Sequence, residues 1–106
     1  MIEPDKVIFR KWKDNGDIIA VFPEIPSDTR SWYLCESYEH VGQHGGCNYQ
    51  DAILPQTVPA RPDEYQELLQ ELSEIGYNLV VYRRETSQMR EIRRRMWNQF
   101  WTHGKD

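Results

Sequence analysis

The sequence predicts an α+β fold: a single domain over residues 1–106, with an antiparallel sheet of about four strands in the order β-β-β-α-β-α and the helices on one face. Three observations predict it. Three short runs rich in β-branched and aromatic residues fill the first forty positions, and the first two are separated by Asn15-Gly16. Two later segments carry apolar residues at helical spacing, with a short apolar run between them. The length suits one domain, and four tryptophans and six tyrosines supply large buried area to a chain that is otherwise only 39% hydrophobic.

Val7 to Trp12 reads as the first strand. Lys13 to Asp17 turns the chain, because Asn-Gly tolerates the positive φ that a tight hairpin demands. Ile18 to Phe22 returns as an unbroken apolar run, which predicts burial on both faces or a central place in the sheet. Pro23 and Pro26 are expected to end it. Trp32 to Tyr38 is the third strand, with Trp32, Leu34 and Tyr38 on one side and Tyr33, Cys35 and Ser37 on the other. A Gly-His loop follows through Cys47, and Asn48 to Leu54 fits a short strand or one helical turn equally. Pro55, Pro59 and Pro62 enforce an extended connection.

A helix starts at Pro62, with Asp63 and Glu64 at its positive end and Gly76 as its C-terminal cap. Tyr65, Leu68, Leu69, Leu72 and Ile75 make its apolar stripe, with Glu67, Glu71 and Glu74 opposite. Tyr77 to Arg83 is the fourth strand. The last helix runs from about Ser87 to Trp101, capped by Thr86 or Ser87, with Met89, Ile92, Met96 and Phe100 inward and Arg90, Arg93 and Arg94 left wet. Residues 97–106 are expected to be a mobile or interface-forming tail.

Charge divides the chain. Residues 1–82 carry six Lys/Arg against fourteen Asp/Glu, and residues 83–106 carry seven against three. A basic segment on an acidic body pairs internally or faces an anionic partner. No apolar run approaches the roughly 18 residues of a membrane span, and the N-terminus lacks a signal-peptide core. The expectation is a cytoplasmic protein with two free thiols and no membrane contact.

Three segments carry a likeness: Asp17-Ile18-Ile19-Ala20 with Phe22-Pro23, His40-Val41-Gly42-Gln43-His44-Gly45, and Glu71-Leu72-Ser73-Glu74-Ile75-Gly76-Tyr77. In these the chain resembles a group of short uncharacterised proteins of gut bacteria and their phages and mobile elements, over roughly residues 7–95. The resemblance implies a bacterial setting and an accessory role in mobile DNA. It carries no transferable activity.

Four chemistries compete. Cys35, His40, His44 and Cys47 are zinc-type ligands, but C-x4-H-x3-H-x2-C is not two short pairs across a spacer, so no metal is expected. A cysteine–histidine nucleophile lacks any local motif, and the expectation leans away from an enzyme. The glycines around Gln43 could gather backbone N–H groups on an anion, yet no Lys-Ser/Thr follows. The last helix is the fourth: Arg90, Arg93, Arg94, Trp97 and Trp101 are the residue types of binding hot spots.

The sequence therefore predicts a non-enzymatic protein-binding accessory module, without a cofactor, contacting a protein partner or a second copy through that helix. A small nucleic-acid binder using the same arginines is the alternative. A metal or hydrolytic site at the loop of His40, Gln43 and His44 comes third.

Overall fold

The computed structural model describes residues 4–27, 32–39 and 43–103, with side chains except at 43, 44 and 100–103. Its six strands form one mixed sheet. β1 (Asp5–Trp12) lies near the centre, with β2 (Ile18–Pro26), β3 (Leu34–Glu39) and β4 (Gln43–Asn48) following as an antiparallel meander. The other edge of β1 is shared. β5 (Thr57–Pro59) pairs antiparallel with Arg10 to Trp12, and β6 (Leu79–Tyr82) pairs parallel with Asp5 to Ile8. The fold class is α+β as expected, but the sheet is larger than four strands and not wholly antiparallel.

The β1–β2 hairpin closes over Lys13 to Asp17. Asn15 Oδ1 accepts from the Asp17 N–H at 2.8 Å, and the Trp12 N–H donates to the Asp17 carbonyl at 2.8 Å. β2 runs past Pro23 to Pro26 instead of ending at Phe22, because the register with β3 shifts between Phe22 and Pro26. Proline has no N–H to offer a ladder, and an irregular stretch does not ask for one. The Gly-His segment is mostly strand, not loop: Gln43 to Asn48 pairs residue for residue with Leu34 to Glu39. Gly46 has a steric reason to be glycine, since a Cβ there would lie 2.5 Å from Ser27 Oγ.

After β4 the chain makes a π-helical turn (Tyr49–Ile53), in which Asn48 Oδ1 accepts from the Asp51 N–H, then the short helix α1 (Leu54–Gln56). Helix α2 (Pro62–Ile75) has the expected bounds. Glu64 Oε1 accepts from the Arg61 N–H at 2.9 Å, and Gly76, at φ 125°, donates to the Leu72 and Ser73 carbonyls. Helix α3 spans Ser87–His103, so residues 97–103 continue a helix.

The core is double. On one face of the sheet Val7, Phe9, Ala20, Phe22 and Tyr38 bury against Leu68 and Leu72 of α2, and Tyr65 stacks on Phe9 with ring centroids 4.5 Å apart. On the other face Ile8, Ile19, Val21 and Cys35 pack with Tyr49, Ile53 and Met89 of α3. The helices thus cover opposite faces, not one. The unbroken run Ile18 to Phe22 requires it: residues alternate in a strand, so apolar residues at every position need cover on both sides. Ile75, expected in the α2 stripe, is 56% exposed.

Candidate functional site

Helix α3 is fastened to the sheet by charge as well as by apolar contact. Thr86 Oγ1 caps it by accepting from the Met89 N–H at 3.2 Å, and Met89 is buried one turn further on. Arg93 follows one turn after Met89 on the same face. It was expected to be wet, but it is 3% exposed. Its Nη1 donates to the Pro23 carbonyl at 2.7 Å and to Glu85 Oε2 at 2.8 Å, and its Nε donates to the Trp32 carbonyl at 2.8 Å. Glu85 is buried as well and takes a second donor, Arg90 Nη1, at 3.3 Å. A buried guanidinium survives only where its donors are satisfied, and the irregular end of β2 supplies a carbonyl for this one.

The outer face of α3 is different. Arg94 lies over the Trp32 ring, 5.6 Å from its centroid, and is exposed. Arg95 makes an exposed pair with Glu91 at 3.6 Å. Met96, expected to face inward, is 43% exposed although it lies one turn beyond Arg93 on the inward side. Trp97 is half-buried. Trp101 and Phe100 lie on α3 with side chains outside the described residues. The ion pairs α3 makes among the described residues go to Glu85 and Glu91, not to the acidic face of α2, which lies across the sheet.

That acidic face borders a groove of about 430 Å³ beside the β1–β2 hairpin. Asp17, Glu39, Glu64 and Glu67 wall it, and Ile18 and Leu68 give it an apolar lining. Lys11 pairs with Glu64, and Trp12 Nε1 donates to Glu39 at 2.9 Å, so both carboxylates are held in place. The Lys11 hydrogen bond, with the Arg61 N–H second, holds the Glu64 carboxyl below its usual range.

Of the loop candidates for a metal, only Cys35 and Cys47 have described side chains. His40 lies outside the described residues, and Gln43 and His44 are placed only by their backbone in β4, opposite Glu39 and Tyr38. Positions 44 and 47 are three apart in one strand and so belong to opposite faces. Among the described residues no group of three or more His, Cys, Asp or Glu could hold a metal ion. Cys35 and Cys47 do meet, directly opposite each other with Sγ atoms 3.6 Å apart.

The sequence reading missed Glu85 and the acidic groove. Glu85 follows Arg83-Arg84 and precedes the arginines of α3, and an acid set among arginines was the available signal. The groove had none, because its four carboxylates come from three separate segments. Comparison with protein-family models, with curated proteins and with solved structures found no match.

Proposed function

We propose that this chain is a non-enzymatic protein-binding module of bacterial or phage origin, working in the cytoplasm, that makes its contact through the exposed surface of α3. A second copy of the chain supplies the complementary surface. The observation that supports this most is the exposed Met96 near the end of α3, on a helix that also exposes Arg94 and Arg95. A helix that exposes both an apolar side chain and guanidinium groups suits a partner with an apolar floor and acidic walls. The groove of Asp17, Glu39, Glu64 and Glu67 over Ile18 and Leu68 has that chemistry.

Groove and α3 lie on opposite sides of the sheet, so one copy cannot join its own two surfaces. The contact is head-to-tail, and it extends or closes into a ring. Nucleic-acid binding is the weaker reading. Glu85 takes Arg90 and Arg93, Glu91 takes Arg95, and the chain as a whole carries −4. Light scattering across protein concentration tests the proposal: mass above the monomer at low salt, falling toward it near 1 M salt, where screening shortens to about 3 Å. A monomer at every salt and concentration would refute it.

A further inference from the structure

Cys35 and Cys47 stand twelve positions apart in sequence and face each other across β3 and β4. Directly opposed residues of an antiparallel pair have Cα atoms about 4.5–5.5 Å apart, inside the range a disulfide spans. The Sγ atoms, at 3.6 Å, need only side-chain rotation to reach bonding distance, with no backbone shift. The two thiols are not equivalent. Cys35 is fully buried against Ile8, Ile19 and Val21. Cys47 is half-buried and lines an open groove of about 660 Å³, together with Trp12, Ser37, Glu39 and Asn48. A cleft of that size admits a small molecule to one sulfur only.

We propose that Cys35 and Cys47 are a redox-active dithiol that exchanges with low-molecular-weight disulfides through this groove, Cys47 as the attacking thiol and Cys35 as the resolving one. Cys47 loses its proton, and its sulfur bonds to one sulfur of the small disulfide. The other sulfur leaves as a thiolate and takes up that proton. Cys35 then attacks Cys47 Sγ, closing the cross-strand disulfide, and the second small thiolate leaves with the proton of Cys35. Two protein thiols are oxidised by two electrons, and one disulfide is reduced to two thiols.

The surroundings favour this order. The hydrogen bond between the sulfurs, then burial, holds the Cys35 thiol well above its usual range. The same hydrogen bond lowers Cys47, helped by Ser37 and by the Arg93 guanidinium against the opposing burial and Glu85 charge. The thiolate, not the thiol, is the attacking species. The pair does not depend on the α3 contact between copies.

The test uses the reduced full chain under native conditions with glutathione disulfide as probe, acid quenching and intact mass. The wild type should lose the mass of two hydrogens, without an accumulating adduct, and dithiothreitol should reverse it. Cys35→Ser should stop as a mixed disulfide, gaining one glutathione at Cys47. Cys47→Ser should stay unmodified, because Cys35 is shielded. Should a serine variant not fold, timed iodoacetamide labelling of the wild type with peptide mapping gives the same reading. Cys47 should react about ten-fold faster than Cys35 or more. A wild type that stays reduced, or stops at the adduct, overturns the proposal. So does faster labelling of Cys35.

Discussion

Replacing Arg93 with alanine should be among the most damaging single changes on α3, although sequence alone makes this residue one of the helix's four arginines. The guanidinium makes three bonds of 2.7–2.8 Å, two to backbone carbonyls and one to Glu85. Its side chain is 3% exposed and that of Glu85 is 1%. Truncation strips Glu85 of its closer partner, leaving Arg90 at 3.3 Å, and leaves the Pro23 and Trp32 carbonyls without this donor. Breaking one side of a buried pair costs about 3–5 kcal/mol, a large part of the roughly 5–15 kcal/mol that holds a domain of this size together. Urea unfolding followed by tryptophan fluorescence measures it as a lower midpoint with unchanged slope. Arg94→Ala is the control on the same helix. Its guanidinium is exposed over Trp32 and should lose about 1 kcal/mol or less. If the two variants unfold together within about 1 kcal/mol of the parent, the Arg93–Glu85 pair is not buried in solution and α3 is a solvated helix face.

Three further outcomes follow from the two cores. Leu72→Ala removes a side chain with no exposed surface and should cost about 2–5 kcal/mol in the same assay. The buried Tyr49 hydroxyl makes no well-formed hydrogen bond among the described residues and meets the Glu85 backbone only loosely, so Tyr49→Phe should change stability by about 1 kcal/mol or less. The depressed Glu64 carboxyl stabilises the fold above the ordinary carboxylate range, and the contribution is lost as pH falls through its folded pKa. Glu64→Gln should therefore be less stable than the parent at neutral pH, and the two should converge in acid when thermal unfolding is compared across pH.

The legible parts of this fold were those written in local pattern. α2 could be read with its bounds because Pro62 and Gly76 punctuate a 3.6-residue apolar period. The unbroken run in β2 fits burial on both faces or a central place in the sheet, and only the first of these calls for a helix on each face. The direction of β6 was not legible, since an apolar run pairs equally well in parallel or antiparallel and only the α2 crossover decides. β5 was hidden by the prolines around it, which an edge position tolerates. Glycines made β4 look like a loop, because they depress strand propensity, and Gly46 is there for its approach to Ser27. Misplacing β4 also hid the cysteine pair, which becomes visible once residues 35 and 47 are taken as partners across one hairpin. Arg93 and Glu85 were beyond reach for another reason: two of the partners that make a buried arginine tolerable are carbonyls some sixty to seventy positions away.

The α3 contact is tested most directly by mixing two variants, each damaged on one surface only. Arg94→Glu spoils the basic face and keeps the groove; Glu67→Lys spoils the groove and keeps the basic face. Each alone should associate at least about ten-fold more weakly than the wild type at low salt, since a like charge at a contact is repelled. Mixed in equal amounts, they offer one native junction and one in which the charges are exchanged, so light scattering should show association recovered beyond that of either variant alone. A mixture as monomeric as its components, beside a wild type that associates, would show that α3 and the acidic groove are not the surfaces that meet.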